Sequence, residues 1–210
     1  MPLAQRKTAG IIDYGTGNIA SLDQAFAEIG TSICLIKSPE QLYHLDAVVL
    51  PGVGHFGPSR QMLHSTGLQQ ALIDLSRSGL PTLGICLGFQ LLTASSEEAP
   101  DSEGLGLLPL RTERIKPSDT KLHKVPHLGW NTLTTSGDLP RLLAGIAPSD
   151  LLFYFANAYA IAPIANLHVP HALYQHERSW LAMVEQANIH EYNFIPKKAA
   201  VRAFKSFATF

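Results

Sequence analysis

Short apolar runs alternate with stretches of helical apolar spacing through the first half of the chain. Each run predicts a buried strand, and each stretch with apolar residues at intervals of three and four predicts a helix. The strands fall at residues 9–13, 33–36, 47–50 and 82–86, and the helices at 19–29, 68–75 and 89–94. This alternation is typical of a parallel sheet with helices on both faces.

The second half of the chain has a different pattern. Residues 105–131 are rich in turn formers, and apolar runs at 151–155 and 181–185 predict late strands. We see no internal repeat, low-complexity tract or linker. We therefore predict a single doubly wound α/β domain over residues 1–210, flavodoxin-like, with a mostly parallel sheet.

Composition and charge limit the classes of function that we expect. Hydrophobic residues make up 46% and charged residues 16% of the chain, which suits a globular protein with a sizeable core. The net charge of -1 gives no electrostatic reason to expect nucleic acid or an anionic membrane as a partner. We find neither a signal core nor an apolar stretch long enough to span a bilayer, and Cys34 and Cys86 suit free thiols in the cytoplasm. We expect no metal and no cofactor.

One pentapeptide indicates nucleophilic chemistry. Gly84-Ile85-Cys86-Leu87-Gly88 lies where a predicted strand meets a predicted helix. A nucleophile between two glycines at such a junction forms a nucleophile elbow, a tight turn that exposes the side chain. The N-terminus of the following helix favours the thiolate. The alternative is a buried structural cysteine, the commonest state of a lone Cys.

Other segments point to a family. The first strand is followed by Asp13-Tyr14-Gly15-Thr16-Gly17-Asn18 and the third by Pro51-Gly52-Val53-Gly54-His55-Phe56-Gly57; later come Phe89-Gln90-Leu91-Leu92, Ser95-Ser96-Glu97-Glu98, Gly104-Leu105-Gly106-Leu107 and Lys124-Val125-Pro126-His127-Leu128-Gly129-Trp130-Asn131. Up to about His190 the chain resembles the glutaminase subunit of imidazole glycerol phosphate synthase, a class I glutamine amidotransferase. The Pro-Gly-Val-Gly and Gly-Trp-Asn segments separate this subunit from other class I amidotransferases.

The resemblance implies an activity and a site. Cys86 would attack the carboxamide of glutamine and form a thioester, while backbone N–H groups near Val53 and Leu87 bind the oxyanion. The released ammonia would pass into a partner cyclase, a TIM barrel of histidine biosynthesis. The other implied positions either bind glutamine or dock on the cyclase. The first group is Gly52, Gly54, Gln90 and Glu98, and the second is His127, Trp130, Asn131, Tyr154 and Lys198.

The C-terminal segment departs from that family. The family ends with Gly-Val-Gln-Phe-His-Pro-Glu-Lys-Ser, in which the His is the general base and the Glu orients it. Here Ile195 stands at the position of the base and Lys197 at that of the acid. Isoleucine cannot accept a proton. His190 lies five residues before Ile195, so in a strand its side chain would point to the opposite face of the sheet and could not replace the base. Asn157 and Ala158 also stand where the family usually has His and Ser.

Loss of one base would explain this departure. If one G is placed before a permitted codon for Glu191 and synonymous codons are chosen, residues 191–199 become Gly-Val-Gln-Phe-His-Pro-Glu-Lys-Ser. The same frame turns residues 200–210 into an amphipathic helix, Arg-Arg-Ala-Gly-Leu-Gln-Ile-Leu-Arg-Asn-Phe. A drifting paralogue has no reason to permit this. We therefore interpret residues 1–190 as family-like and 191–210 as frameshifted.

Alternative functions remain open at this point. The first hypothesis is a glutaminase subunit whose altered C-terminus leaves it with little or no activity. The second is a non-enzymatic pseudo-glutaminase that binds and supports a cyclase using free ammonia. The third is another Cys-elbow hydrolase of flavodoxin-like fold, which the Pro-Gly-Val-Gly and Gly-Trp-Asn segments disfavour. The nucleotide sequence across His190 separates the first two.

Overall fold

The computed structural model describes residues 8–135, 138–165, 167–193 and 207. The helices are α1 (Ile19–Glu28), α2 (Phe56–Ser65), α3 (Leu68–Arg77) and α4 (Leu87–Leu92). The strands are β1 (Thr8–Ile12), β2 (Ser32–Ile36), β3 (Ala47–Leu50), β4 (Thr82–Ile85), β5 (Ser95–Ser96), β6 (Arg111–Arg114), β7 (His127–Thr132), β8 (Thr134–Thr135), β9 (Leu152–Asn157), β10 (Tyr159–Ile161), β11 (His171–His176), β12 (Arg178–Gln186) and β13 (Ile189–Tyr192). Short 3-10 helices occupy Pro39–His44, Arg141–Leu143 and Pro148–Asp150.

The main sheet has a parallel half and a largely antiparallel half. Strands β2, β1, β3, β4 and β13 lie side by side in that order and are all parallel. Strand β13 then pairs antiparallel with β12, and β10, β6 and β5 continue the sheet. Strand β11 pairs with β12 and β8, while β7 and β9 form a separate antiparallel ribbon.

Alternate residues of the central strands enter two apolar layers. Ala47 and Val49 of β3 pack into the cluster that contains Leu22 and Phe26 of α1. Val48 and Leu50 enter the opposite cluster, which contains apolar residues of α2, α3 and α4. Strands covered on both faces need apolar residues at successive positions, which explains their near-continuous apolar runs. The predicted α/β class, with helices on both faces of the sheet, is confirmed.

Several of the elements that the sequence pattern missed are rich in polar residues. Helix α2 contains Pro58 and buries only a narrow stripe, so its apolar spacing is weak. Strands β6 and β7 lie in the turn-rich stretch and have few buried positions. The altered segment after Asn193 lies outside the described residues, apart from the buried Phe207.

Candidate active site

Cys86 occupies the sharp turn between β4 and α4. Its backbone is left-handed, with φ 55° and ψ −113°, a conformation that non-glycine residues rarely adopt. The flanking glycines are required by space: a Cβ on Gly88 would lie 1.8 Å from the carbonyl oxygen of Leu50, and one on Gly84 would lie 3.0 Å from the backbone nitrogen of Phe89. The predicted elbow is therefore present in geometry as well as in sequence.

The described residues around Cys86 do not activate its thiol. Burial raises the pKa of the Cys86 thiol, and the Leu87 N–H offsets only part of this effect. Two phenols also interact with it. Burial raises the pKa of Tyr14 to about 12, and it raises the pKa of Tyr192 well above its ordinary value. No histidine among the described residues shifts the pKa of Cys86, so the thiolate gains nothing from an imidazolium.

The segment after β3 lies against the elbow. A Cβ on Gly52 would lie 2.9 Å from the Cβ of Leu87 and 3.0 Å from the backbone nitrogen of Gly88. The Tyr14 hydroxyl donates to the carbonyl oxygen of Pro51 at 2.8 Å and fixes the start of the segment. Val53 is exposed, and Gly54 has a positive φ of 102°. The backbone of this segment is thus held beside the N-terminus of α4.

Gln90 and Glu98 extend the site along α4 and beyond β5. Gln90 is buried, and its Nε2 donates to the carbonyl oxygen of Tyr159 at 3.4 Å. The Glu98 carboxylate accepts a hydrogen bond from the Phe56 N–H at 2.8 Å, and His55 Nε2 lies 3.8 Å from it. Glu98 therefore ties the loop after β3 to the segment after β5.

Strand β13 adjoins the nucleophile on the other side. The Cys86 N–H donates to the carbonyl oxygen of Tyr192 at 2.9 Å. In the parallel register Tyr192 pairs with Ile85 and His190 with Leu83, so His190 lies well before the elbow. His190 Nδ1 is 3.4 Å from the carboxylate of Glu185, its cross-strand neighbour on β12. Ile195, Lys197 and Lys198 lie outside the described residues.

The β7–β9 ribbon has distinct outer and inner faces. Trp130 is 49% exposed on the outer face, and its ring meets that of its register partner Tyr154 edge to face at 5.6 Å. His127 is buried on the inner face, where its ring lies 4.1 Å from that of His176. Asn131 Nδ2 lies 2.7 Å from His127 Nε2. Of the predicted docking residues, Trp130 and Tyr154 therefore lie on the outer face of the ribbon, and His127 lies on its inner face.

The described residues offer no obvious inorganic or membrane site. None of their His, Cys, Asp and Glu side chains form a group of three or more that could hold a metal ion. None of their helices has the length and apolarity needed to cross a bilayer. Cys34 and Cys86 are both free thiols.

Glutamine amidotransferases of known structure share this fold. Residues 10–125 match the family of CobB/CobQ-like glutamine amidotransferase domains. A crystal structure of a glutamine amidotransferase superposes with a TM-score of 0.70 at 17% identity, covering 95% of this chain and 96% of that one. PurLQS from Thermotoga maritima superposes with a TM-score of 0.71 at 15% identity, covering 98% and 99%. The fold is that of a glutamine amidotransferase domain.

Closer relatives specify the family. The imidazole glycerol phosphate synthase subunit HisH of Methanothermobacter thermautotrophicus is 41% identical over 189 residues, which is 90% of each chain. The HisH subunit of Desulfitobacterium hafniense is 36% identical over 201 residues, 96% of this chain and 92% of the relative. The chain belongs to the HisH family, the glutamine amidotransferase subunits of imidazole glycerol phosphate synthase.

The structure also reveals residues that the sequence did not point to. Tyr14 and Tyr192 flank the nucleophile. Tyr14 stands within Asp13-Tyr14-Gly15-Thr16-Gly17-Asn18, so its position was a usable signal. Tyr192 becomes a neighbour of the site only through strand pairing, which no local pattern shows. Asn157, which the sequence marks as a departure from the family, contacts the end of β13.

Proposed function

We propose that this chain is the glutaminase subunit of a cytoplasmic imidazole glycerol phosphate synthase, formed by one amidotransferase domain, with Cys86 as its nucleophile. One observation carries the assignment: Cys86 sits in a strained left-handed turn, and Gly52 packs directly against the next two residues, Leu87 and Gly88. Strain of this kind persists where the surroundings enforce it and clusters at active sites.

The proposed chemistry is acyl transfer from glutamine. The Cys86 sulfur attacks the side-chain amide carbon, and the carbonyl electrons move to an oxygen held by N–H groups near Val53 and Leu87. The tetrahedral intermediate collapses to a thioester and expels ammonia, and water then releases glutamate and the thiol. Gln90 and Glu98 hold the substrate. Expulsion of ammonia requires that the thiol proton reach the leaving nitrogen.

That proton transfer is the step we propose to be impaired. The resemblance puts the base and its orienting acid at Ile195 and Lys197, and neither side chain can serve. Burial raises the pKa of the Cys86 thiol and so disfavours the thiolate that would attack the substrate. We therefore propose that the chain as written has very low glutaminase activity.

The buried end of β13 supports a frameshift as the cause. Both carboxylate oxygens of Glu191 and both polar atoms of the Asn193 carboxamide are buried without a hydrogen-bond partner among the described residues. No other described segment concentrates such atoms. Native proteins leave few buried polar groups unpaired, because each costs free energy. The restored frame would put Gly and Gln at these positions, so the carboxylate would disappear.

We further propose that ammonia is passed to a TIM-barrel cyclase docked on the ribbon. Leu128, Trp130 and Leu152 are exposed on its outer face, with Tyr154 between them. Such a contiguous apolar surface is typical of a protein interface. The proposed docking set is completed by Asn131, whose Nδ2 lies 2.7 Å from His127 Nε2, and by Lys198.

Frame repair tests the proposal. One G inserted before the Glu191 codon should raise the ammonia release measured with cyclase present by about 10⁴-fold or more, the usual cost of removing a triad base. The matched control is Cys86→Ser in the repaired chain, which should return the rate to that of the unrepaired chain. A repaired chain that folds and binds cyclase yet stays inactive would contradict the assignment, and Asn157 and Ala158 would be examined next.

A pseudo-glutaminase is the second candidate, favoured by Ile195 and Lys197 alone. It would bind cyclase and stimulate the reaction that uses free ammonia, with no dependence on Cys86. Cyclase turnover with ammonium chloride, compared between the chain as written and its Cys86→Ser variant, separates the two candidates. Genomic sequence across His190 that shows no missing base would also favour this second candidate.

A further inference from the structure

A buried amide joins the docking ribbon to the end of β13. Asn157 is the last residue of β9 and is almost fully buried. Its Nδ2 donates to the carbonyl oxygen of Asn193 at 3.4 Å and to the Tyr174 hydroxyl at 3.5 Å. Asn157 also pairs with His127 in the ribbon register. Through its side chain and its backbone, Asn157 thus connects the β7–β9 ribbon to the main sheet, and no described strand of the ribbon pairs with a strand of that sheet.

The strand end to which Asn157 is hydrogen-bonded lies next to the nucleophile. Asn193 follows Tyr192, whose carbonyl oxygen accepts the Cys86 N–H at 2.9 Å. The Asn193 N–H donates to the carbonyl oxygen of Ala182 at 2.8 Å, so the strand end is fixed on the β12 side by backbone. The Asn193 carbonyl has the Asn157 amide as its described partner. Without that amide, the end of β13 would lose one of its fixed points.

A left-handed cysteine depends on such fixed points. The φ of 55° at Cys86 is maintained by the contacts of Gly84 and Gly88 and by the hydrogen bond to Tyr192. If β13 shifts at its end, that hydrogen bond weakens and the elbow can relax. We propose that Asn157 is a positioning residue that fixes the end of β13 and, through it, the backbone of Cys86.

Selective labelling makes this measurable in the full chain. The protein has only two cysteines, so ¹⁵N-cysteine labelling gives one amide signal from Cys86 and one from Cys34 on β2 as an internal reference. In Asn157→Ala, hydrogen exchange of the Cys86 amide should accelerate about 10-fold or more, while that of Cys34 stays unchanged, because local opening does not require global unfolding. Alkylation of Cys86 by iodoacetamide should rise by about 3-fold as the sulfur becomes more accessible.

Matched variants distinguish positioning from general loosening. Ile11→Val removes a methyl group from the buried β1 and should not single out the Cys86 amide. Asn157→His keeps an N–H donor and should bring Cys86 exchange back toward the wild-type rate. Tyr174→Phe removes only the second contact of Asn157, is a mild change and should accelerate Cys86 exchange by about 2-fold, so it serves if the alanine variant does not fold.

Two outcomes would overturn the inference. One is unchanged exchange at Cys86 in both Asn157→Ala and Tyr174→Phe, and the other is equal acceleration at Cys86 and Cys34. The functional meaning of this positioning role rests on the proposed function of Cys86 as the nucleophile, whereas amide exchange reports only on the fold. Amide exchange therefore tests the positioning role of Asn157, and the Cys86→Ser assay separately tests the nucleophile.

Discussion

Strands β4 and β13 are neighbours in the sheet, run parallel and are buried at every position, yet their residues differ sharply. Strand β4 reads Thr-Leu-Gly-Ile, and its Thr82 hydroxyl is hydrogen-bonded to Ser76 and to the carbonyl oxygen of Leu80. Strand β13 reads Ile-His-Glu-Tyr, and the carboxylate of Glu191 has no described partner. Burial is imposed on both strands by the sheet, but only β4 has side chains suited to it.

This difference indicates where the sequence stops agreeing with its fold. In a natural sequence, local propensity, hydrophobic pattern and packing usually favour the same structure. Polar side chains at the buried positions of a strand therefore indicate a local conflict between sequence and fold. His190 Nδ1 lies 3.4 Å from the Glu185 carboxylate across the strand pair, but it too is buried without a hydrogen-bond partner among the described residues. The conflict is greatest from Glu191 onward, because both carboxylate oxygens of Glu191 and both polar atoms of the Asn193 carboxamide are unpaired among the described residues.

The largest expected effect concerns the two lost catalytic groups. Ile195→His together with Lys197→Glu restores the base and the acid but leaves Glu191 and Asn193 in place. Its glutaminase rate with cyclase should lie above that of the chain as written and below that of the frame-repaired chain, within the range of about 10⁴-fold that a triad base supplies. Steady-state ammonia release measures all three. A double variant as active as the repaired chain would show that β13 itself does not limit the site.

The next effect is on stability. Glu191→Gly should raise the free energy of unfolding by about 1–2 kcal/mol, since it removes an unpaired buried carboxyl at a small cost in backbone entropy. The mirror control is Leu83→Glu, which puts a carboxyl at a fully buried site of β4 and should destabilise the chain. Urea unfolding of both variants and of the parent measures the changes. A Glu191→Gly chain no more stable than the parent would contradict the conflict described above.

The sequence predicted the parts of the molecule in which local pattern and fold agree. The apolar runs of β1, β3 and β4 predicted the parallel strands because those strands are covered on both faces. Strand β13 has no apolar run, so only its pairing with Ile85 and Met183 reveals it. Cys86 and its glycines were predicted because the elbow is local in sequence. Tyr192 was not, because it reaches the site across a strand pair.

The pH dependence of stability should carry the signature of Glu191. Burial raises the pKa of this carboxyl well above its ordinary value of 4.5. Between those two values the folded chain keeps a proton that the unfolded chain releases, so stability falls as pH rises above about 4.5. The difference in unfolding free energy between the parent and Glu191→Gln should therefore change with pH above this point. A pH-independent difference would show that Glu191 is solvated in the folded state.

His127 should give the opposite slope at the ribbon. Burial, and then the nearby His176 and His123, lower its pKa from 6.5 to about 4. The folded chain therefore binds fewer protons than the unfolded chain in this interval, and the contribution of neutral His127 to stability is lost as pH falls from 6.5 toward 4. His127→Gln should flatten the acid limb of the stability curve while leaving the Glu191 effect intact. An unchanged acid limb would place the acid sensitivity elsewhere.

The smallest effects are a pair of substitutions with opposite expected signs, one on each side of the elbow. Tyr14→Phe removes a hydroxyl that donates to the Pro51 carbonyl at 2.8 Å, and it should destabilise the chain by about 1 kcal/mol. Asn193→Leu removes a buried carboxamide that lacks a described partner while keeping similar volume and the backbone bonds of residue 193, and it should stabilise by about 1 kcal/mol.

Thermal and urea unfolding under identical conditions would measure both changes, with the double variant testing whether they add. Near-additivity is expected, because one hydroxyl lies toward β3 and the other group at the end of β13. If both substitutions destabilise, the Asn193 carboxamide has a partner in the folded chain and the contrast between the two sides of the elbow fails. Opposite signs would mean that the sheet around Cys86 is intact on the β3 side and mismatched to its residues only where β13 ends.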